Sequence, residues 1–116
     1  MKIERRAQWL RGVLDLCVLG VLATGEYYGY AISQRLEQAG LEHIKGGTLY
    51  PLLARLEEAG LITSWWTPGE QGPGRKYYTL TQQGRQTFEQ LVGEWTAFSE
   101  HVATLIYQKG EKINES

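Results

Sequence analysis

Cys17 is the only cysteine in 116 residues, which excludes an internal disulfide and suits a reducing compartment. Long apolar runs are also missing. A membrane-spanning helix needs about 20 apolar residues, and the most apolar stretch, Leu10 to Ala23, is too short and is interrupted by Arg11 and Asp15. Basic residues precede that run, as in a signal peptide, but it continues into further chain without a small-residue cleavage site. These features predict a soluble cytoplasmic protein with no membrane partner. Catalytic and metal-binding constellations are absent as well: His43 and His101 are far apart, and no Cys/His cluster has ligand spacing. The glycines between Gly69 and Gly74 are not followed by the lysine-serine or lysine-threonine pair of a phosphate-binding loop. Neither an enzyme nor a bound cofactor is expected. Cys17 itself reads as a small buried hydrophobe rather than a redox sensor.

A strong net charge is lacking too, since the formal total is −1. Distribution says more than the total. Residues 1–12 carry four bases (Lys2, Arg5, Arg6, Arg11) against Glu4, a balance of +3. Residues 81–116 carry three bases (Arg85, Lys109, Lys112) against five acids (Glu89, Glu94, Glu100, Glu111, Glu115), a balance of −2. One end suits a phosphate surface and the other a protein surface; scattered solvated charge is the plainer alternative.

The chain length fits one domain with a modest core. Trp9 to Ala23 is apolar nearly all round and predicts one well-buried helix ended by Gly25. Tyr28 to Ala39 predicts a second helix, with Ile32, Leu36 and Ala39 inward and Gly40 as its stop. After the link Leu41–Lys45, the stretch from Gly46 to Ile62 puts Leu49, Leu52, Leu53 and Leu56 on one stripe. Thr48, Pro51, Arg55 and Glu58 are expected opposite, with Pro51 in the first turn and Gly60 as the C-terminal glycine. Two short helices joined by a brief link make a helix-turn-helix pattern. An ordinary amphipathic core helix is the alternative reading of the third helix alone.

Leu61–Thr67 and Arg75–Leu80 are β-rich and flank the turn cluster Pro68–Gly74, predicting a hairpin with a long tip. A hairpin directly after a helix-turn-helix is a wing, with Arg75 and Lys76 at its base beside a phosphate backbone. A charged strand edge that resists mispairing is the alternative for that pair.

Thr81 reads as the N-cap of a last helix. Phe88, Trp95 and Val102 recur every seventh residue, and Leu91, Phe98 and Leu105 follow each by three, with Val92 and Ile106 widening the stripe. This heptad seam wants a partner helix, most simply from a second copy of the chain. Folding back onto its own domain is the alternative, and it suits Phe88 and Leu91 better than the distal residues. Lys109 and Gly110 are expected to end the helix, and 111–116 to be a disordered tail.

With these residues laid out, the chain resembles the PadR family of bacterial winged-helix transcription regulators. The resemblance is carried by Tyr28-Gly29-Tyr30, by Gly47-Thr48-Leu49-Tyr50-Pro51-Leu52-Leu53 with Arg55-Leu56-Glu57 and Gly60-Leu61-Ile62, and by Gly74-Arg75-Lys76-Tyr77-Tyr78-Thr79-Leu80-Thr81 with Gly84. It implies a homodimer, joined through its first and last helices, that binds an operator through the third helix and wing, usually as a repressor. Members that respond to phenolic acids carry a larger helical C-terminal domain. This chain resembles the short subfamily, so that ligand does not carry over. Some short members bind flat aromatic drugs beside a tryptophan on the last helix, and Trp95 stands in a similar place.

The expected architecture is therefore mainly α with a small β-hairpin: a winged helix-turn-helix over 1–80 and a dimerisation helix over 81–110. The expected DNA-binding residues are Arg5, Arg6, Lys45, Thr48, Tyr50, Arg55, Arg75 and Lys76. Phe88, Leu91, Trp95, Phe98, Val102 and Leu105 are expected at the dimer interface, and a planar aromatic or cationic effector beside Trp95. The competing functional reading is a winged-helix module for protein–protein assembly with no operator of its own.

Overall fold

The computed structural model describes residues 2–69 and 72–108. Among these residues, five helices and three strands follow one another as α1 (Lys2–Arg11), α2 (Leu14–Leu22), β1 (Tyr27–Tyr28), α3 (Gly29–Gln38), α4 (Gly46–Glu58), β2 (Ile62–Thr67), β3 (Arg75–Leu80) and α5 (Gln82–Ile106). The strands form one antiparallel sheet in the order β1-β3-β2. β2 and β3 pair from Ile62↔Leu80 to Thr67↔Arg75, and β1 adds Tyr27↔Tyr78 and Tyr28↔Tyr77. This is the winged helix-turn-helix arrangement expected from the sequence, followed by the long last helix.

Leu14, Val18, Leu19 and Leu22 of α2 meet Ile32 and Leu36 of α3, the four α4 leucines, and Ile62, Tyr78 and Leu80 of the sheet. The all-round apolar character of α2 has this cause, since helices and sheet cover it on several sides. The expected single helix from Trp9 to Ala23 is instead two. The Gly12 and Val13 amides bond back to Trp9 and Leu10, three residues earlier, and Val13 leaves helical geometry (φ −126°, ψ 3°). Gly12 is a weak helix former at the break, and the near-continuous apolar sequence conceals it. Ala39, expected inward, is exposed because it is the C-cap of α3, past the end of the packed face. The buried polar residue there is Ser33, whose hydroxyl donates to the Ile44 carbonyl (3.1 Å) and ties α3 to the link before α4.

α4 begins earlier than expected. Lys45 is the N-cap, so Pro51 is the sixth helical residue rather than a first-turn one, and the helix runs through it unbroken to Glu58. Gly60 (φ +82°) then closes it: its N–H donates to Glu57 (2.9 Å) and the Leu61 N–H to Leu56 (3.0 Å). That conformation costs glycine little and other residues more.

The same turn anchors α5. The Thr81 hydroxyl accepts from the Gly84 amide (2.9 Å) and donates to the Gly60 carbonyl (2.7 Å), while the Thr81 amide donates to Leu61 (3.0 Å). Gly84 is pressed onto the Leu61 carbonyl so closely that a β-carbon has no room. Phe88 and Leu91 then pack against the core, as the fold-back alternative had it for those two. From Val92 onward the large apolar side chains of α5 are exposed. The radius of gyration, 17.9 Å, exceeds the roughly 13 Å of a compact chain this long. α5 ends at Ile106, and the expected stop at Lys109–Gly110 and tail at 111–116 lie outside the described residues.

Candidate nucleic-acid interface

The four buried leucines fix how α4 is presented. At 100° per residue, the direction opposite Leu49, Leu52, Leu53 and Leu56 is held by Gly47, Pro51, Ala54 and Glu58, all exposed. Thr48 and Arg55 fall on one margin of that face, Tyr50 and Glu57 on the other. Thr48 and Arg55 were expected on the face itself; both are solvent-exposed at its edge.

The wing stands along the Tyr50 margin. Ser64 donates to the Glu57 carboxylate (2.7 Å), fastening β2 to α4. Tyr50, Ala54, Trp66, Arg75 and Lys76 line a single open cleft between helix and hairpin. The Tyr50 ring crosses Gly29, where a β-carbon would overlap it. Arg75 lies over the ring of Tyr28, which borders the same cleft, with 4.3 Å from guanidinium carbon to ring centroid. Tyr28 meets Tyr77 edge-on (5.5 Å), and Tyr77 stacks with Trp65 (6.2 Å). Lys76 lies 5.8 Å from the Tyr78 ring and opposite Trp66 in the ladder.

Across the helix, Lys45, Thr48 and Arg55 line a groove shared with Arg11 of α1. The expected residues thus form two groups flanking α4: Tyr50, Arg75 and Lys76 toward the wing, and Lys45, Thr48 and Arg55 toward α1. Arg55 also faces Asp15 at 3.6 Å, with both side chains more than half exposed, so the pair is screened and weak. Arg5 is exposed on α1. Arg6 is engaged internally, donating to the Gly40 carbonyl (2.9 Å) with its Nε 3.7 Å from Glu42.

The distal residues of the seam are solvent-exposed: Trp95 by 44 %, Phe98 by 61 % and Leu105 by 69 %. Trp95 and Phe98 sit 6.3 Å apart with rings tilted by 42°. They border an apolar groove whose other wall is Trp9, Leu10 and Val13. Trp9 is 69 % exposed, although its sequence context reads as the start of a buried helix. Burial holds the Cys17 thiol above its ordinary pKa and that of Tyr78 likewise, the latter with smaller contributions from Tyr50 and Glu57. Tyr28 and Trp66 are the residues sequence reasoning passed over. The pairing of Tyr28 with β3 has no local signal, whereas the strand period around Trp66 put it level with Lys76.

Among the described residues no helix is long and apolar enough to cross a membrane, and no group of His, Cys, Asp or Glu has the makings of a metal site.

Comparison with known proteins returns one family: the model of the transcriptional regulator PadR-like family matches residues 18–90. The crystal structure of a PadR-like transcriptional regulator from Bacillus cereus superposes with a TM-score of 0.78 at 34 % identity, covering 88 % of this chain and 99 % of that one. A transcriptional regulator of Mycobacterium tuberculosis is 31 % identical over 103 residues, 83 % of this chain and 94 % of the relative. The negative transcriptional regulator PadR of Bacillus subtilis is 36 % identical over 76 residues, 64 % of this chain. Its structure in complex with operator DNA matches with a TM-score of 0.63 at 32 % identity, covering 69 % of this chain and 45 % of that one. The chain spans less than half the length of that relative.

Proposed function

The chain belongs to the PadR-like family of transcriptional regulators, and we propose that it is a repressor that binds a pseudo-palindromic DNA operator as a homodimer and answers to a small molecule. The observation that carries the DNA reading is the exposed face of α4 with cationic side chains on both sides. Arg75 and Lys76 stand toward the wing, and Lys45 and Arg55 toward α1. A helix that enters a major groove needs phosphate contacts on either side of it. Arg75, Lys76, Lys45 and Arg5 take that role, with Arg6 lending it only if it leaves Glu42. Thr48 and Tyr50 reach base edges from the two margins of the helix, and Arg55 does so once freed from Asp15.

The bare distal half of α5 supports the homodimer. Trp95, Phe98, Val102 and Leu105 form a continuous exposed apolar strip, which Phe88 and Leu91 extend toward the core. A second copy covers it most economically. Two recognition helices related by that axis call for half-sites about 34 Å apart, or a multiple. The effector is a planar aromatic or cationic molecule held beside Trp95. The apolar groove between Trp95, Phe98 and Trp9 supports this, together with Glu94 and Glu100 on the same helix. These roles suit a cytoplasmic protein.

The deciding experiment is gel retardation of a fragment from upstream of the protein's own gene, repeated across salt concentrations. A salt-sensitive, sequence-preferring shift is expected. No shift with this or any selected duplex would leave a protein–protein assembly module as the better reading.

A further inference from the structure

The outward centre of α4 has an unusual chemistry for a recognition helix. Gly47, Pro51 and Ala54 occupy it, and Glu58 closes it at the C-terminal end. None of the arginine, lysine, asparagine or glutamine side chains that grip base edges in pairs of hydrogen bonds stands there. Apart from Glu58 at the C-terminal end, polar groups are confined to the margins, and several are engaged within the chain. Arg55 faces Asp15, Glu57 accepts from Ser64, and the Tyr50 ring lies on Gly29. Around Gly47 nothing lies within 4 Å of where a β-carbon would stand, so another surface can come close to the helix backbone.

A flat, small, apolar strip lowered into the major groove meets one apolar feature on the base edges, the C5-methyl of thymine. Resting on the DNA-binding reading above, we propose that this helix recognises thymine methyl groups through the Pro51 ring and the Ala54 methyl, with Gly47 permitting the close approach. Seven residues separate Gly47 from Ala54, a rise of about 10 Å, which spans about three base-pair steps. Each half-site therefore holds one or two thymines within a window of about that length. Thr48, Tyr50 and, once freed from Asp15, Arg55 supply hydrogen bonds at its edges, and Lys45, Arg75 and Lys76 supply affinity without sequence content.

The test uses the full chain and a duplex selected by it from a random library, compared with a scrambled duplex of the same composition. Each thymine in the half-sites is replaced in turn by deoxyuridine, which removes only the methyl. Affinity is expected to fall about fourfold for each contacted methyl, the factor for one buried CH₂-sized group, with the salt slope unchanged. Pro51→Ala restores a helical N–H and should fold at least as well, and it should bind the thymine and uracil duplexes equally at its own position. Ala54→Gly should do the same at the neighbouring position. The inference is overturned if the selected half-sites lack thymine, if no uracil substitution matters, or if both variants keep full discrimination, while a preference over the scrambled duplex persists. If no duplex is preferred over the scrambled one, the DNA-binding reading itself fails and takes this inference with it.

Discussion

The Arg75 guanidinium carbon lies over the ring of Tyr28, a residue 47 positions earlier in the chain, at 4.3 Å from the centroid. Tyr28 belongs to β1, the two-residue strand that closes the sheet beside β3. The stack holds a long, otherwise mobile side chain in one direction at the base of the wing.

Removing the ring should therefore weaken DNA binding without removing a charge. Tyr28→Leu is expected to lose about two- to fivefold in affinity, the worth of an exposed cation–π contact, with an unchanged slope of log K against log salt. Arg75→Ala should flatten that slope by about 0.9. Binding isotherms at several salt concentrations separate the two, and an equal flattening in both variants would show that Tyr28 acts by other means.

The junction of α4, β2 and α5 should be sensitive to single atoms. Gly84→Ala drives a β-carbon into the Leu61 carbonyl and should cost about 1–3 kcal/mol. Thr81→Ala removes both the cap of α5 and the bond to Gly60, for about 1 kcal/mol or somewhat more. Gly93, in the same helix with nothing within 4 Å of where a β-carbon would stand, should behave oppositely, its change to alanine stabilising by about 0.5–1 kcal/mol. Urea unfolding of the three variants checks the order, and a stabilised Gly84→Ala would contradict the packing described.

Tyr78 makes stability fall in alkali. Its folded-state pKa is raised, first by burial and then by Tyr50 and Glu57. The unfolded chain thus releases this proton first as pH rises. The contribution is fully present below about pH 10, the ordinary tyrosine value, and is lost as pH climbs through the higher folded value. Denaturation midpoints at pH 8 and pH 11 should differ more in the wild type than in Tyr78→Phe. An equal loss in both would put the alkaline sensitivity elsewhere.

Truncation before Trp95 should leave a monomer or an aggregate, since it removes the exposed half of the seam while keeping Phe88 and Leu91. Sedimentation at micromolar concentration reads this directly, and a well-folded dimer from the truncated chain would refute the seam.

For the effector, planar cationic dyes titrated into wild type and Trp95→Phe are expected to bind the former more tightly. The comparison has to be between proteins, because Trp9, Trp65 and Trp66 also fluoresce. Equal binding, or none, would assign Trp95 to packing alone.

Local signals carried most of the fold. The leucine period of α4, the Gly60 stop and the Thr81 cap each act within a few residues, and each stands where its sequence pattern puts it. Features made by distant partners were not legible. β1 is too short to show a period, and its pairing joins Tyr27 to Tyr78. Arg6 looks like a free cation until Glu42 and the Gly40 carbonyl are brought beside it. The break at Gly12–Val13 sits inside an apolar stretch whose hydrophobicity fits one buried helix as well as two. In the candidate interface, helical spacing identified the residues near the surface of α4 but misjudged its centre. Measured at 100° per residue from all four buried leucines, Thr48 and Arg55 fall at the margin, while Gly47, Pro51, Ala54 and Glu58 hold the centre.

The two hydrogen bonds from Thr81 to Gly60 and Leu61, and the close seat of Gly84 on Leu61, weld the end of α4 to the beginning of a 25-residue rod. Such a rod is about 37 Å long, so in the proposed dimer it would work as a lever with its fulcrum near the distal seam. A change of about 10° at that fulcrum would carry each α4 through about 6 Å, close to two base-pair steps at 3.4 Å each. Operators selected from libraries of variable half-site spacing, with and without a ligand wedged at Trp95, would show this as a shift in preferred spacing. A small molecule too slight to touch DNA would then set the distance between the two places where the protein holds it.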